Sequence, residues 1–243
     1  AATSASVFIY GESCTGKELV ARAIHDMSNR AANAFVPVNC AAIPKDLIES
    51  ELFGYEKGAF SGARASGKKG LIEEAANGTL FLDEVGELPL PMQGKFLGFL
   101  QRHEYMRVGG NQSLASRCRI IAATNRDLEK EIAESRFRED LYYRLNVIPI
   151  HLPPLRERQE DIAVLADHFI DRYTKKYNRH DLKLTEEQDI ILRTYKWPGN
   201  VRELQNIIER AVLLSTDKQL EFSLPVDMRG QSTNPFEDFP TLG

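Results

Sequence analysis

No apolar run in this chain approaches the roughly 20 residues needed to cross a bilayer, and no signal-peptide pattern opens it. A spanning anchor is therefore excluded within this sequence, and no membrane partner is expected. Cysteine is scarce. Cys14, Cys40 and Cys118 are odd in number, widely spaced and lack any C-x-x-C pattern, which argues against a disulfide framework and a thiolate metal site. A reducing, cytoplasmic setting is the economical expectation. Basic residues are not in excess either. With 31 Lys and Arg against 35 Asp and Glu, the net charge is −4, so tight, sequence-independent binding to nucleic acid by this chain alone is not expected. No internal repeat is visible.

What the chain does have is a core-forming hydrophobic fraction of 42% over 243 residues, enough for one large domain or a large and a small one. Short apolar runs at 7–10 (VFIY), 35–39 (FVPVN), 79–84 (TLFLDE), 119–125 (RIIAATN) and 147–152 (VIPIHL) read as strands. Helical stretches lie between most of them, including one begun by Pro44 in IPKDLIESELFG. Strands alternating with helices predict an α/β fold with a mostly parallel sheet over 1–152. After PPLRER (153–158) only helical periodicity remains, so 153–220 is expected to be a helical subdomain of about three helices, broken near 178–184 and at Pro198-Gly199. The three prolines and polar spacers of 221–243 read as a linker or tail.

The first strand runs into GESCTGKE, residues 11–18, which fits the phosphate-loop spacing G-x-x-x-x-G-K. In such a loop, backbone N–H groups and a helix N-terminus offer partial positive charge to phosphate, and the lysine reaches the outer phosphates. Gly11, Glu12, Ser13, Cys14, Thr15, Gly16, Lys17, Glu18 and Leu19 are accordingly the candidate nucleotide-binding residues. Glu18 stands where a magnesium-binding hydroxyl is usual, leaving that role to Glu18 itself or to water. A glycine turn that merely caps a helix is the alternative. The strand TLFLDE ends in two adjacent carboxylates, on the ligand side of an open α/β sheet. Asp83 suits Mg²⁺ and Glu84 suits the base that polarises an attacking water.

Thr124 and Asn125, at the exit of the fourth strand, are placed to orient water or touch a γ-phosphate, or else are simply turn residues. In WPGNVREL (197–204), Asn200 and Glu203 have the spacing of a capping box. Arg202 then falls in the first helical turn, where a cation is disfavoured by about 0.3–1 kcal/mol unless an anion offsets it. Arg138 and Arg144 are six residues apart in FREDLYYRL, about 240° around a helix. They therefore serve separate purposes: salt bridges to Glu139 or Asp140, or an arginine finger for a phosphate-transfer site. GAFSGA (58–63) is uncharged, with two glycines around Phe60 and Ser61. It suits a loop whose Phe60 folds into the core or one that grips a partner.

Together these stretches resemble the AAA+ ATPase domain of bacterial enhancer-binding proteins, the NtrC-like activators of sigma-54 RNA polymerase, over roughly residues 5–220. GESCTGKE is similar to the family's Walker A, GTLFLDE to its Walker B, ATNRD to sensor I, FREDLYYRLNV to the arginine-finger segment, PPLRER to the hinge and WPGNVREL to sensor II. ELFGYEKGAFSGA resembles the segment bearing the GAFTGA loop. The resemblance implies a P-loop three-layer α/β/α core with a small helical lid, ATP and Mg²⁺ as ligands, and a ring, usually a hexamer, with a heptamer allowed. It implies that Asn39 is the switch residue holding Glu84, that Arg138 and Arg144 enter the neighbouring subunit's site, and that Gly58, Ala59, Phe60, Ser61, Gly62 and Ala63 contact sigma-54. Such activators usually carry a regulatory domain before this region and a helix-turn-helix after it. Neither is visible here, so DNA binding is not expected of this chain.

The chain departs from the family at Ser61, which keeps the usual threonine's hydroxyl without its methyl. Cys14 replaces the usual glycine. Two other readings compete with a sigma-54 remodeller: a different AAA+ remodeller, disfavoured by GAFSGA, and a nucleotide-binding switch without turnover, disfavoured by Asp83, Glu84 and Arg138.

Overall fold

The structure, a computed structural model, describes residues 3–59, 66–179, 182–215, 220 and 224. The chain divides into two compact units. One contains the residues up to Glu157 together with Gly199–Val201, and the other contains Arg158–Pro198 and the residues from Arg202 on. The division falls at Glu157, beyond Leu152: the 3-10 turn at Leu155–Glu157 belongs to the first unit, and Leu155 within it is fully buried. The expected tail, 221–243, lies outside the described residues apart from Leu224.

In chain order the first unit contains β1 (Val7–Tyr10), α1 (Lys17–Asp26), β2 (Phe35–Asn39), α2 (Ile48–Phe53), β3 (Gly54–Tyr55), β4 (Lys68–Lys69), α3 (Leu71–Ala75), β5 (Thr79–Asp83), α4 (Leu90–Arg102), β6 (Glu104–Met106), β7 (Ser113–Ala115), β8 (Arg119–Thr124), α5 (Leu128–Ala133), α6 (Glu139–Leu145) and β9 (Ile148–His151). Five of these strands form one sheet in the order β2-β5-β8-β1-β9, with every pairing parallel.

The central strands are apolar on both faces, as a covered parallel sheet requires. Their alternation divides the core in two. Phe8, Leu80, Leu82, Ile120 and Ala122 face the larger cluster, shared with α2, α4 and α6. Val7, Ile9, Phe81, Ile121 and Ala123 face a smaller one that includes Ala21 of α1. The two edge strands each hold a proline, Pro37 in β2 and Pro149 in β9, whose missing N–H blunts the edge against further pairing.

The helix expected from Pro44 begins at Ile48 instead. The Pro44 carbonyl accepts from the Leu47 and Ile48 amides and closes a turn first. The ribbons β3–β4 and β6–β7 have no counterpart in the sequence reading. Each strand has two or three residues, too few to show alternation.

The second unit is helical: α7 (Gln159–Lys176), α8 (Glu186–Thr194) and α9 (Asn200–Leu214, whose first two residues belong to the first unit). In α7, Ile162, Ala166, Phe169, Ile170 and Tyr173 form one buried stripe. Thr185 and Gln188 close a capping box on α8. Trp197 is fully buried, with its indole N–H on the Leu192 carbonyl at 2.8 Å.

Gly94 and Gly98 interrupt α4. A Cβ at Gly98 would lie 2.9 Å from the Arg102 Nη2, the end of a flexible side chain, whereas among the described residues one at Gly94 would meet only the Arg138 Nη1, at 3.9 Å. Gly94→Ala is therefore expected to raise stability by about 1 kcal/mol, a rise of about 2–4 °C in melting temperature for a chain of this size. A lower melting temperature would show that the Gly94 site needs open space.

Candidate functional site

The loop after β1 is shaped by three left-handed residues: Gly11 at φ 155°, Cys14 at 63° and Gly16 at 104°. Gly11 is irreplaceable on sterics, since a Cβ there would lie 2.4 Å from the Leu152 carbonyl oxygen. Cys14 carries a side chain in the same region at a cost of about 1–2 kcal/mol, which is the strain its glycine-to-cysteine departure implies. Gly16 caps α1 without any side-chain hydrogen bond, leaving first-turn N–H groups for an anion. Lys17 is buried, and its Nζ donates to the Gly11 and Glu12 carbonyls, each at 3.0 Å. Thr15 Oγ1 donates to the Glu12 carbonyl at 2.9 Å. Glu18 and Leu19 are exposed in the first turn of α1.

β5 delivers Asp83 and Glu84 to the same edge of the sheet. Asp83 Oδ1 accepts from the Glu84 amide at 3.1 Å. Glu84 lies in the left-handed region at φ 53°, a conformation that non-glycine residues adopt at functional sites at a cost of about 1–3 kcal/mol. Half-burial raises its pKa above the ordinary glutamate value, opposed by the Asn125 amide and by Lys17. Asn125 links the parts. Its amide donates to Glu84 Oε2 at 3.1 Å, and its side-chain Nδ2 donates to Ser13 Oγ at 2.6 Å. The candidate base is thus tied to the phosphate loop through one residue. Among the described residues no group of three or more His, Cys, Asp or Glu gathers as a metal cage.

Several expected residues stand elsewhere. Asn39 does not hold Glu84. Its Oδ1 accepts from the Ala41 and Ala42 amides at 2.9 and 3.2 Å, closing the turn after β2. Thr124 is fully buried and accepts from the Arg126 amide at 3.1 Å, so it shapes the strand exit instead of facing the site. Arg138 precedes α6 and forms a two-point ion pair with Asp140, at 3.0 and 2.7 Å. Arg144 donates to the Leu100 carbonyl at 2.9 Å. Arg202 is exposed on α9, in the second unit.

Asn200, the first residue of α9, spends its side chain on other partners than the expected cap. It is buried, accepts from the Leu155 amide at 2.8 Å, and donates from Nδ2 to Glu12 Oε2 and the Ser13 carbonyl, both at 3.1 Å. Arg156 was not singled out in the sequence, yet it forks onto the Glu12 carboxylate at 3.0 and 2.7 Å. Its only sequence signal is the arginine-rich PPLRER, which does not name a partner.

Of GAFSGA, Gly58 and Ala59 are described, whereas Phe60, Ser61, Gly62 and Ala63 lie outside the described residues. Gly58 is exposed at φ 75°. Ala59 sits against Gly109, where an added Cβ would lie 2.8 Å from that of Ala59. The stem is clasped by the segment after β6. Glu56 N donates to the Val108 carbonyl at 3.0 Å, and Arg107 joins Glu56 and Glu73 at 3.1 and 2.8 Å.

Comparisons with known proteins identify the family. Residues 1–151 match the family described as the sigma-54 interaction domain, and residues 156–238 match the AAA+ ATPase lid domain. The chain is 54% identical to the regulatory protein AtoC of Escherichia coli over 89% of this chain and 47% of that protein. It is 51% identical to the alginate biosynthesis transcriptional regulatory protein AlgB of Pseudomonas putida over 100% of this chain and 53% of that protein. It superposes on the crystal structure of NtrX from Brucella abortus in complex with ATP with a TM-score of 0.79 at 40% identity, over 87% of this chain and 48% of that one. The chain therefore spans about half the length of the curated relatives it matches.

Cys14 provides a direct probe of the loop, since Cys40 and Cys118 are buried and burial raises both their pKa values, that of Cys40 to about 12. Saturating ATP is expected to slow labelling of Cys14 by a thiol reagent severalfold. Equal labelling with and without ATP would mean that the phosphates do not enter this loop.

Proposed function

The chain belongs to the family of sigma-54 interaction domains, and from that premise we propose that it hydrolyses ATP and uses the energy to remodel sigma-54 RNA polymerase for transcription. The observation that carries the reading is Glu84, half-buried at a strand end and tied through Asn125 to Ser13 of the phosphate loop. In this reading ATP places its phosphates over the Gly16 helix start, and Lys17 leaves the Gly11 and Glu12 carbonyls to reach the outer phosphates. Mg²⁺, held through Asp83 with Glu18 or water, supplies charge neutralisation at the phosphates. Glu84 accepts a proton from the attacking water, a task helped by its raised pKa. Asn125 orients Glu84 and senses the loop, and Asn39 takes up its switch role only on leaving the Ala41 and Ala42 amides.

Arg138 and Arg144 act on a neighbouring copy's ATP in a ring, a hexamer or heptamer. Arg138 must first exchange Asp140 for phosphate, which its exposed position permits. Arg202 serves as the lid's phosphate sensor. The GAFSGA loop carries the motion to sigma-54, with Phe60 as an aromatic anchor of the kind that dominates interfaces. DNA is reached only through a helix-turn-helix outside this chain.

Phe60→Ala separates the two uses of this ring. As a core residue its loss would cost about 3–5 kcal/mol and depress stability and activity together. As the grip, its loss is expected to leave the melting temperature and ATP hydrolysis near wild type and abolish the native-gel shift with sigma-54 in the presence of a nucleotide–metal-fluoride mimic. A variant that melts far earlier yet, while folded, binds sigma-54 normally would contradict the proposal.

A further inference from the structure

A carboxylate inside a phosphate-binding loop has the wrong sign for its ligand. Glu12 occupies the second position of the loop, and its ionised form is stabilised by the Arg156 guanidinium first and then the Asn200 amide, which outweigh a smaller opposing effect of burial and keep its pKa below the ordinary glutamate value. Three consecutive loop residues are gripped from outside. Glu12 is held by Arg156 and Asn200, the Ser13 carbonyl by Asn200 Nδ2 at 3.1 Å, and the Cys14 carbonyl by the Val201 amide at 3.1 Å. Asn200 itself is 1% exposed and left-handed at φ 49°, a conformation that persists where surrounding contacts over-determine it.

We infer that Arg156 and Asn200 are positioning residues that set the nucleotide affinity of the phosphate loop by acting through Glu12. Arg156 neutralises the Glu12 carboxylate with a two-point fork that only a guanidinium provides. Asn200 donates to that carboxylate and to the Ser13 carbonyl and accepts from the Leu155 amide, tying the three together. Neither residue touches nucleotide in this account. Their removal frees a negative charge beside the polyphosphate and loosens the loop. The inference rests on the reading of this loop as the ATP site.

The test compares Arg156→Ala, Asn200→Asp and each of these combined with Glu12→Gln, on the full chain. Dissociation constants for ADP and for ATP with Mg²⁺, the KM and kcat of phosphate release, and melting curves are read for each. Arg156→Ala leaves Glu12 without its counter-charge. It is expected to weaken nucleotide binding about three- to tenfold, the range for a partly exposed charge, with a rise in KM and a smaller change in kcat.

Asn200→Asp sets a second carboxylate against Glu12 and is expected to weaken binding at least as much. In the Arg156→Ala background Glu12→Gln is expected to restore affinity to within about threefold of wild type, because the offending charge is gone; in the Asn200→Asp background the new carboxylate still faces the Ser13 carbonyl, so recovery there is partial. A purely structural role predicts the opposite, double variants no better than the single ones. Wild-type affinity in Arg156→Ala and Asn200→Asp, or failure of Glu12→Gln to rescue Arg156→Ala, would overturn the inference. Lys17→Ala distinguishes the two levels. Unchanged binding there would remove the ATP-site reading and the inference with it. Lost binding there, alongside wild-type binding in Arg156→Ala and Asn200→Asp, would overturn the inference alone.

Discussion

The arrangement depends on five strands running the same way. Because β2, β5, β8, β1 and β9 are all parallel, the loops that leave their carboxyl ends open at one edge of the sheet, where ligands bind in open α/β folds. That constraint alone brings the phosphate loop, Asn39, Asp83-Glu84 and Thr124-Asn125 to one side. Register then selects among them. Asn39 pairs with Asp83, and Tyr10 with Thr124, so each strand stops within a residue of its neighbour and the side chains that follow come within hydrogen-bonding range.

What the sheet brings together is held under local strain. Cys14 and Glu84 are both left-handed without being glycine, and each is supported by a partner from another segment: Cys14 by the Val201 amide at the start of α9, Glu84 by the Asn125 amide. Lys17 and Arg138 show the same economy. Each cation rests on groups of the chain itself, loop carbonyls in one case and Asp140 in the other, so in the proposed mechanism ligand binding exchanges contacts instead of creating them in water.

The five strands, the phosphate loop and the paired carboxylates were legible in the sequence because each is a local pattern: an apolar run, a glycine spacing, an acidic strand end. Asn125's bridging role was half legible, since its place at a strand exit was plain but its partner Ser13 is 112 residues away. Asn39 and Thr124 rest on nearer partners than expected for a related reason. A short polar side chain at a strand end satisfies the nearest backbone amide first, and a sequence does not say whether that or the distant carboxylate prevails. Arg156 was missed because an ion pair across more than a hundred residues leaves no local trace. The short ribbons that clasp the GAFSGA stem were missed because two-residue strands have no period to read.

The central claim is that Glu84 is the base at an ATP site formed around Lys17. The most direct measurement is phosphate release by Glu84→Gln beside nucleotide binding by the same protein. Removing only the proton acceptor is expected to leave ATP affinity near wild type and to abolish turnover at every ATP concentration. Turnover of Glu84→Gln at the wild-type rate would contradict the account.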